Sequence, residues 1–361
     1  MQPSENVQSR RRLRDLGVVI GKYEPGPLNA ITDVDGVLVG HSTVIEGSRI
    51  RTGSTAIVPH GGNVFQDRVP AGVSVFNGFG KLAGSTQIQE LGEIETPILL
   101  TNTLATGRAI DAIHRWTLSQ PGNEHVTSIN AIVGETNDSR LNDIRAGRPA
   151  LDEISVALES ASSGPVAEGS IGAGTGTVCF GVKGGIGTSS RHVQIGNDSY
   201  VIGSLVQTNF GGTLRVDGRP LNRCVGEADK DGSIMIIVAT DAPLCDRNLR
   251  RLAERAFGGL ARTGAAFSNG SGDYALAFST APGVRRHRDG RVAARPCPVL
   301  PNDLVSPLFE SVIETVEESI LNSLVMAESI EGYDAGRKRP NRVESIAYDA
   351  IIAAIGSNRT L

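Results

Sequence analysis

The chain has 361 residues, 39% of them hydrophobic and 20% charged, which excludes wholesale disorder, collagen and a coiled coil. Its net charge of −4 gives no electrostatic reason to bind nucleic acid or an anionic membrane, so chemistry on small molecules is the better expectation. The longest apolar run, residues 234–239, is far shorter than the ~20 residues that cross a bilayer.

The cysteines and the N-terminal region indicate the compartment. Cys179, Cys224, Cys245 and Cys297 are widely separated and show no CxxC spacing, so we expect buried free thiols rather than disulfides or a zinc site. The apolar stretch at 16–20 is too short, and too broken by glycine, to form the core of a signal peptide. These features predict a cytoplasmic protein.

In the first half of the chain, short β-branched runs bounded by Gly, Asn and Pro predict strands. After Leu104 the apolar spacing approaches 3.6 residues, which predicts a helix that ends near Pro121 and Gly122. A helix is also predicted at 151–158. The predicted strands lie at 37–39, 55–58, 73–76, 98–100 and 129–133.

In the second half, the continuous apolar run at 234–240 predicts a central strand buried on both faces. An amphipathic helix follows, capped by Asp246 and ending near Gly264, and a long helix begins at Ser306 and Pro307. The other predictions are strands at 178–182, 201–206 and 274–278, and a helix at 345–355.

The order of these elements predicts the architecture. Strands and helices are interleaved, and no Ser/Pro-rich linker or internal repeat divides the chain. We therefore expect one domain over residues 1–361, with a sheet-on-sheet core covered by helices.

Two common kinds of site find little support. The glycine-rich stretch GSIGAGTGT at 169–177 departs from the dinucleotide spacing, and no G-x-x-x-x-G-K-[ST] string occurs, so a structural glycine run is favoured. The six histidines show no metal-ligand spacing, and no GxSxG elbow is present. We therefore predict neither a cofactor nor a metal.

The stretch RTGAAFSNGSGDYALAFST at 262–280 carries the candidate nucleophile, Ser271. Gly270 before it can hold dihedrals that let the hydroxyl reach the preceding carbonyl, which would start an N-to-O acyl shift and cut the chain. The new terminal Ser271 would then own a nucleophilic oxygen and an amine of pKa ~7.7 to 8.0 that can act as its base. By itself, however, NGSGD is also an ordinary turn sequence.

Nine ordered blocks carry a family resemblance. They are LNAITDVDGVLVGHSTV (28–44), RTGSTAIVPH (51–60), FNGFGKLAGSTQIQELGEIETPILLTNT (76–103), VGETNDSRLNDI (133–144), EGSIGAGTGT (168–177), VQTNFG (206–211), ATDAPL (239–244), the 262–280 stretch and LPNDLVSPLFESVIETVEESI (300–320). Through them the chain, from position 14 to about 355, resembles the DmpA family of L-aminopeptidase/D-amidase/D-esterases, which includes the β-peptidyl aminopeptidases.

The resemblance implies an α/β fold, a four-layer αββα sandwich like that of Ntn hydrolases. It implies a precursor that cuts itself between Gly270 and Ser271 into fragments 1–270 and 271–361. The mature serine aminopeptidase would release N-terminal residues from short peptides, amides or esters through an acyl-enzyme on Ser271. It would work without a cofactor, as a homotetramer of processed protomers.

The resemblance also implies roles for residues near the nucleophile. Asn209 in VQTNFG matches the asparagine that stabilises the oxyanion, and Glu135 in VGETND is the candidate to bind the substrate ammonium. Each has a plainer alternative, a turn residue for Asn209 and a surface or capping acid for Glu135.

Asn137 is a second candidate for substrate binding. The family often carries an aromatic residue in this block, where the present chain has Asn137 and Arg140. The helper serine and glutamate of the family have only weak candidates, Ser306 and Glu310. A helix-capping serine and a solvated glutamate are the alternative interpretation.

Two other functions stay open from the sequence. One is an acyltransferase resembling ornithine acetyltransferase, which shares the architecture and the self-cleavage but uses threonine, so Ser271 argues against it. The other is a binding protein of the same fold that is not cleaved and has no activity.

Overall fold

The structure, a computed structural model, describes residues 10–221, 231–294 and 296–356. Its strands are β1 (Leu38–Glu46), β2 (Ile50–Val58), β3 (Asp67–Gly78), β4 (Leu82–Ala83), β5 (Glu93–Ile94), β6 (Ile98–Asn102), β7 (Ile132–Thr136), β8 (Val178–Cys179), β9 (Val182–Lys183), β10 (Ile186–Ile195), β11 (Asp198–Asn209), β12 (Arg215–Val216), β13 (Arg219–Pro220), β14 (Ser233–Thr240), β15 (Gly272–Ser279), β16 (Arg286–His287), β17 (Ile330–Asp334) and β18 (Arg339–Val343). Its helices are α1 (Ser85–Leu91), α2 (Thr106–Leu118), α3 (Leu151–Glu159), α4 (Asp246–Arg262), α5 (Ser306–Val325) and α6 (Tyr348–Gly356).

Two mixed sheets form the centre of the molecule. The first has the strand order β1-β2-β6-β7-β4, with β6 and β7 parallel. The second has the order β10-β11-β14-β15-β3-β16, with β5 paired to β3, and its β14 and β15 are parallel. Helices α2 and α3 pack on the first sheet, and α4 and α5 pack on the second. This arrangement confirms the four-layer αββα prediction.

Apolar side chains from both sheets form the core between them. Leu100 of β6 and Ile132 of β7 belong to the same buried cluster as Met235 of β14 and Leu276 of β15. Every residue of β14 is buried, as the continuous apolar run at 234–240 predicts. Because β14 lies between β11 and β15, it is covered on both faces and paired on both edges.

Several predicted boundaries are wrong in ways that bear on the site. Strand β7 begins three residues later than expected, which brings Glu135 into the strand. The predicted strand at 178–182 is instead the tight hairpin β8–β9, which turns at Phe180 and Gly181, both with positive φ. Asp246 is the first residue of α4 and not its cap; Cys245 precedes the helix and makes no side-chain capping bond.

Strand β10 has no counterpart among the predictions because its sequence is polar. Most of it is buried all the same, and α5 supplies partners for two of its polar side chains. Ser189 donates a hydrogen bond to the carbonyl of Thr315 (2.6 Å), and Arg191 forms an ion pair with Glu318 (2.5 Å) in which both side chains are fully buried. Burial of these groups is tolerated because each finds a partner.

The glycine-rich stretch packs against other backbone. A Cβ at Gly176 would lie 2.1 Å from the carbonyl oxygen of Arg51, so glycine is required there for space. This agrees with a structural role for the run. Of the cysteines, Cys179 is buried as predicted, whereas Cys297 is exposed, contrary to prediction, and Cys224 lies outside the described residues.

Neither a membrane span nor a metal cluster is found where the structure describes the chain. None of the helices there is both long and apolar enough to cross a membrane. Across residues 10–221, 231–294 and 296–356, no group of three or more His, Cys, Asp or Glu side chains is arranged to hold a metal ion.

Candidate active site

A cavity of about 270 Å³ opens where strands of the two sheets end. Four of the predicted site residues line it: Glu135 at the end of β7, Asn209 at the end of β11, and Asn137 and Gly270 on loops. None of the six histidines lines it. Parallel pairing of β6 with β7 places Glu135 beside Thr101 at one sheet edge, and so aims the carboxylate at this opening.

Ser271 lies directly behind Gly270, immediately before β15. It is only 3% exposed and does not itself line the cavity. Its N–H donates to the carbonyl of Ser268 (3.1 Å), and its own carbonyl accepts hydrogen bonds from the N–H of Phe79 (3.2 Å) and the Asn77 amide. The backbone around the candidate nucleophile is therefore held on both sides.

Gly270 leaves room for the Asp231 side chain and does not adopt an unusual dihedral. Its φ lies outside the left-handed region, contrary to the dihedral role expected from the sequence. A Cβ at this position would lie 2.6 Å from the carboxyl carbon of Asp231, whose Oδ1 accepts the Gly270 N–H (3.2 Å). Any side chain at 270 would therefore displace Asp231 from the wall of the cavity.

Glu135 is a buried carboxylate with a fixed orientation. Oε1 accepts the backbone N–H of Lys81 (3.0 Å), and Oε2 accepts the hydroxyl of Thr103. The Lys81 ammonium is 3.5 Å from Oε1, but that side chain is more than half exposed. Burial, followed by the negative charge of Glu135, raises the pKa of the neighbouring Tyr274. Among the residues that the structure describes, the carboxylate therefore has one cationic partner, the exposed Lys81, which a ligand ammonium can replace.

Asn209 presents its amide in one orientation. Oδ1 accepts the N–H of Val178 (3.0 Å), and Nδ2 donates to the carbonyl of Asn137 (3.0 Å). A side-chain amide carries two N–H donors, so one remains for a ligand in the cavity. The Asn137 side chain accepts the N–H of Ser139 (3.0 Å), which closes a short turn at the cavity wall.

The two helper candidates lie elsewhere. Ser306 is the exposed first residue of α5, and Glu310 is exposed one turn later. The Glu310 carboxylate accepts the hydroxyl of Tyr23 (2.8 Å) and pairs with Lys22 (2.9 Å). Neither Ser306 nor Glu310 lines the cavity that holds Glu135 and Asn209.

Sequence reasoning missed Asp273, two residues after the nucleophile. Its side chain is 2% exposed, and its Oδ2 has no hydrogen-bond partner. Burial raises the pKa of Asp273 to about 6, and a hydrogen bond from the Ser271 hydroxyl opposes that rise. Strand alternation puts residues 271 and 273 on the same side, and this was the signal that could have found Asp273.

Comparison with known proteins agrees with this geometry. The sequence matches the profile of peptidase family S58 over residues 29–338. It is 39% identical over 354 residues to the beta-peptidyl aminopeptidase BapA of Sphingosinicella microcystinivorans, covering 89% of this chain and 87% of that protein.

Solved structures are similar over nearly the whole chain. The PH0078 protein from Pyrococcus horikoshii OT3 superposes with a TM-score of 0.89 at 40% identity, covering 97% of this chain and 100% of that one. The L-aminopeptidase D-Ala-esterase/amidase from Ochrobactrum anthropi, described as a prototype serine aminopeptidase and a variant of the Ntn-hydrolase fold, superposes with a TM-score of 0.88 at 36% identity, covering 96% and 98%. The chain therefore belongs to peptidase family S58 and is a serine-type aminopeptidase of the Ntn-hydrolase class.

Proposed function

We propose that this chain is a precursor that cuts itself between Gly270 and Ser271, and that the mature enzyme releases N-terminal residues from short peptides, amides or esters. One observation carries the proposal: Ser271 lies directly behind Gly270 at a cavity that also holds a buried carboxylate and a fixed side-chain amide. Since no histidine lines this cavity, a terminal amine suits the role of base.

In the first step, the Ser271 oxygen attacks the carbonyl carbon of Gly270. The peptide C–N bond breaks, an ester bond to the serine oxygen forms, and the hydroxyl proton ends on the released nitrogen. Water then hydrolyses the ester, leaving a carboxylate on Gly270 and a free hydroxyl on Ser271. Asp273 is the side chain placed to accept the hydroxyl proton and pass it on.

In the mature enzyme, the Ser271 amine, with an ordinary pKa of ~7.7 to 8.0, takes the proton from its own hydroxyl. The oxygen attacks the substrate carbonyl, the leaving group receives the proton, and water hydrolyses the acyl-enzyme. Asn209 offers a fixed N–H to the oxyanion, and Glu135 binds the substrate ammonium with Asn137 beside it. Cleavage also removes Gly270 from in front of Ser271, which opens the nucleophile to the cavity.

Denaturing electrophoresis and N-terminal sequencing of purified protein test the proposal. We expect fragments 1–270 and 271–361, the second beginning with Ser271, and hydrolysis of aminoacyl p-nitroanilides. A single intact species that shows a ligand-dependent melting shift but no turnover would instead indicate a binding protein. Acetyl transfer from acetylornithine to glutamate would indicate an acetyltransferase.

Location and assembly remain predictions. We propose a cytoplasmic enzyme, supported by the sequence features, and a homotetramer of processed protomers, supported by the family resemblance. Light scattering of the processed protein tests the tetramer.

Glu135→Gln is expected to raise KM for aminoacyl p-nitroanilides about 10- to 100-fold, with a smaller change in kcat. The amide keeps the size of the side chain but loses the charge that binds an ammonium, a contact of ~1.5 to 3 kcal/mol. Steady-state kinetics on the cleaved protein measure the effect. Glu90→Gln, at an exposed position of α1, is the matched control. An unchanged KM in Glu135→Gln would assign ammonium binding to another group.

Asp273→Asn is expected to slow self-cleavage at pH 8 by on the order of 10²-fold, because an amide cannot accept the hydroxyl proton. The burial-raised pKa of about 6 means that the wild-type carboxylate is ionised above pH 6 and protonated below it. Wild-type cleavage should therefore fall as the pH drops through 6, whereas the variant should show no such step. Precursor made by cell-free translation and diluted into buffers from pH 4.5 to 8.5 allows the fragment ratio to be followed.

The same substitution is expected to stabilise the precursor. Since the pKa of Asp273 is raised in the folded chain, ionisation costs folding free energy at pH above 6, and this cost disappears below the ordinary value of 3.8. In an uncleaved Ser271→Ala background, Asp273→Asn should raise Tm at pH 8 but not at pH 3.5. Equal cleavage rates in the wild type and Asp273→Asn across this pH range would remove Asp273 from the mechanism.

A further inference from the structure

Arg140 brings an unused positive charge to the cavity. The side chain is half-buried and lines the cavity together with Glu135 and Asn209. The backbone carbonyl of Arg140 accepts a hydrogen bond from Asn341 (2.8 Å), which holds the residue on the loop after β7. Among the residues that the structure describes, the guanidinium has no hydrogen-bond or ion-pair partner.

None of the described carboxylates near Arg140, in sequence or in the cavity, forms an ion pair with it. Asp138 is buried and accepts the side-chain amide of Asn142 (3.0 Å). Asp143 pairs with Arg49 (2.5 Å). In the cavity itself, Glu135 is held by Lys81 and Thr103, and Asp231 accepts the N–H of Gly270 (3.2 Å). Asp231 keeps its charge, because a backbone N–H does not neutralise a carboxylate, but no carboxylate of the described chain forms an ion pair with Arg140.

We propose that Arg140 binds a carboxylate group of the substrate, so that the enzyme selects substrates bearing both a free N-terminal ammonium and a carboxylate. This rests on the proposed function of the same cavity, with Glu135 as the ammonium site. A guanidinium binds a carboxylate through two parallel N–H bonds, an arrangement that a mobile lysine does not match. The cavity, of about 270 Å³, has room for a small ligand that reaches both Glu135 and Arg140.

The carboxylate can come from two places on such a substrate. It is either the acidic side chain of the N-terminal residue or the free C-terminus of a dipeptide. Lys81 is the other cation among the described lining residues. It lies 3.5 Å from Glu135 and is more exposed, so it sits beside the proposed ammonium site and is the weaker candidate to bind a carboxylate.

Kinetics of Arg140→Gln on four substrates test the inference. They are β-alanyl p-nitroanilide, which has no carboxylate; aspartyl p-nitroanilide, with an acidic side chain; the dipeptide β-alanyl-alanine; and its C-terminal amide. We expect kcat/KM to fall about 10- to 100-fold for one or both carboxylate substrates and less than about two-fold for the two neutral ones. The substrate whose kcat/KM falls in Arg140→Gln identifies the source of the carboxylate. Arg145→Gln is the matched control, since Arg145 is exposed on the same loop and does not line the cavity.

Calorimetry separates this inference from the proposed function. β-Alanyl-alanine and aspartyl-amide are each titrated into the Ser271→Ala protein and into the Ser271→Ala/Arg140→Gln double variant, and the two Kd values are compared. Arg140-dependent binding in a protein whose wild type hydrolyses nothing would reject the proposed function and keep the inference. If the wild type hydrolyses the neutral substrates and Arg140→Gln shows no loss of kcat/KM specific to the carboxylate substrates, the proposed function is kept and the inference is rejected. A carboxylate-specific loss in Lys81→Gln in place of Arg140→Gln, or an equal loss in Arg140→Gln on all four substrates, would also overturn the inference.

Discussion

Ser271→Ala is expected to yield a single species of about 37.9 kDa and to lower hydrolysis of aminoacyl p-nitroanilides at least about 10³-fold. A methyl group has no lone pair to attack either the Gly270 carbonyl or a substrate. The backbone bonds of Ser271 to Ser268, Phe79 and Asn77 do not involve the side chain, so the fold should survive the change. Mass spectrometry and a thermal melt of the purified variant establish both points.

Two further variants make this prediction specific. Ser271→Cys keeps a nucleophile and should recover self-cleavage in part, because a thiol can form the corresponding thioester. Ser163→Ala changes an exposed serine and should cleave and hydrolyse like the wild type. If folded Ser271→Ala is still cut before residue 271, another residue is the nucleophile, and the proposed acyl transfer is wrong.

Asn209→Ala is expected to reduce kcat about 10²- to 10³-fold with little change in KM, since the lost N–H acts on charge that develops only in the transition state. Alanine also leaves the buried N–H of Val178 without its acceptor, which should cost ~1 to 3 kcal/mol of stability. Activity must therefore be normalised to the folded and cleaved fraction.

Asn209→Asp separates these two effects. The carboxylate retains an oxygen for the Val178 N–H but has no hydrogen to donate to the oxyanion. It should therefore lose kcat as strongly as Asn209→Ala while the Val178 contact is preserved. Wild-type kcat in Asn209→Asp would exclude this amide from oxyanion stabilisation.

Apolar pattern was enough to predict the central strand and the long helix. The run at 234–240 has no polar residue before Thr240 and is short and flanked by Gly232 and Pro243, which favours a strand covered on both faces, and β14 is one. The Ser306-Pro307 start of α5 was also predicted correctly, because proline is favoured in the first turn of a helix. By contrast, β10 was not predicted, since its polar side chains are buried through partners that lie far away in the sequence, such as Thr315 for Ser189 and Asp33 for Ser190.

The sequence by itself determined the family, through the nine blocks, and predicted Ser271 as the nucleophile, since a serine between two glycines before an apolar strand is a local chemical arrangement. Only the tertiary structure decided which charged groups share the cavity. Glu135, Asn209 and Arg140 come from the ends of different strands and the loop after β7, and their meeting depends on strand pairing across both sheets. Asp273 needed the structure for a related reason: its pKa depends on burial, which is a property of the packed chain and not of local spacing.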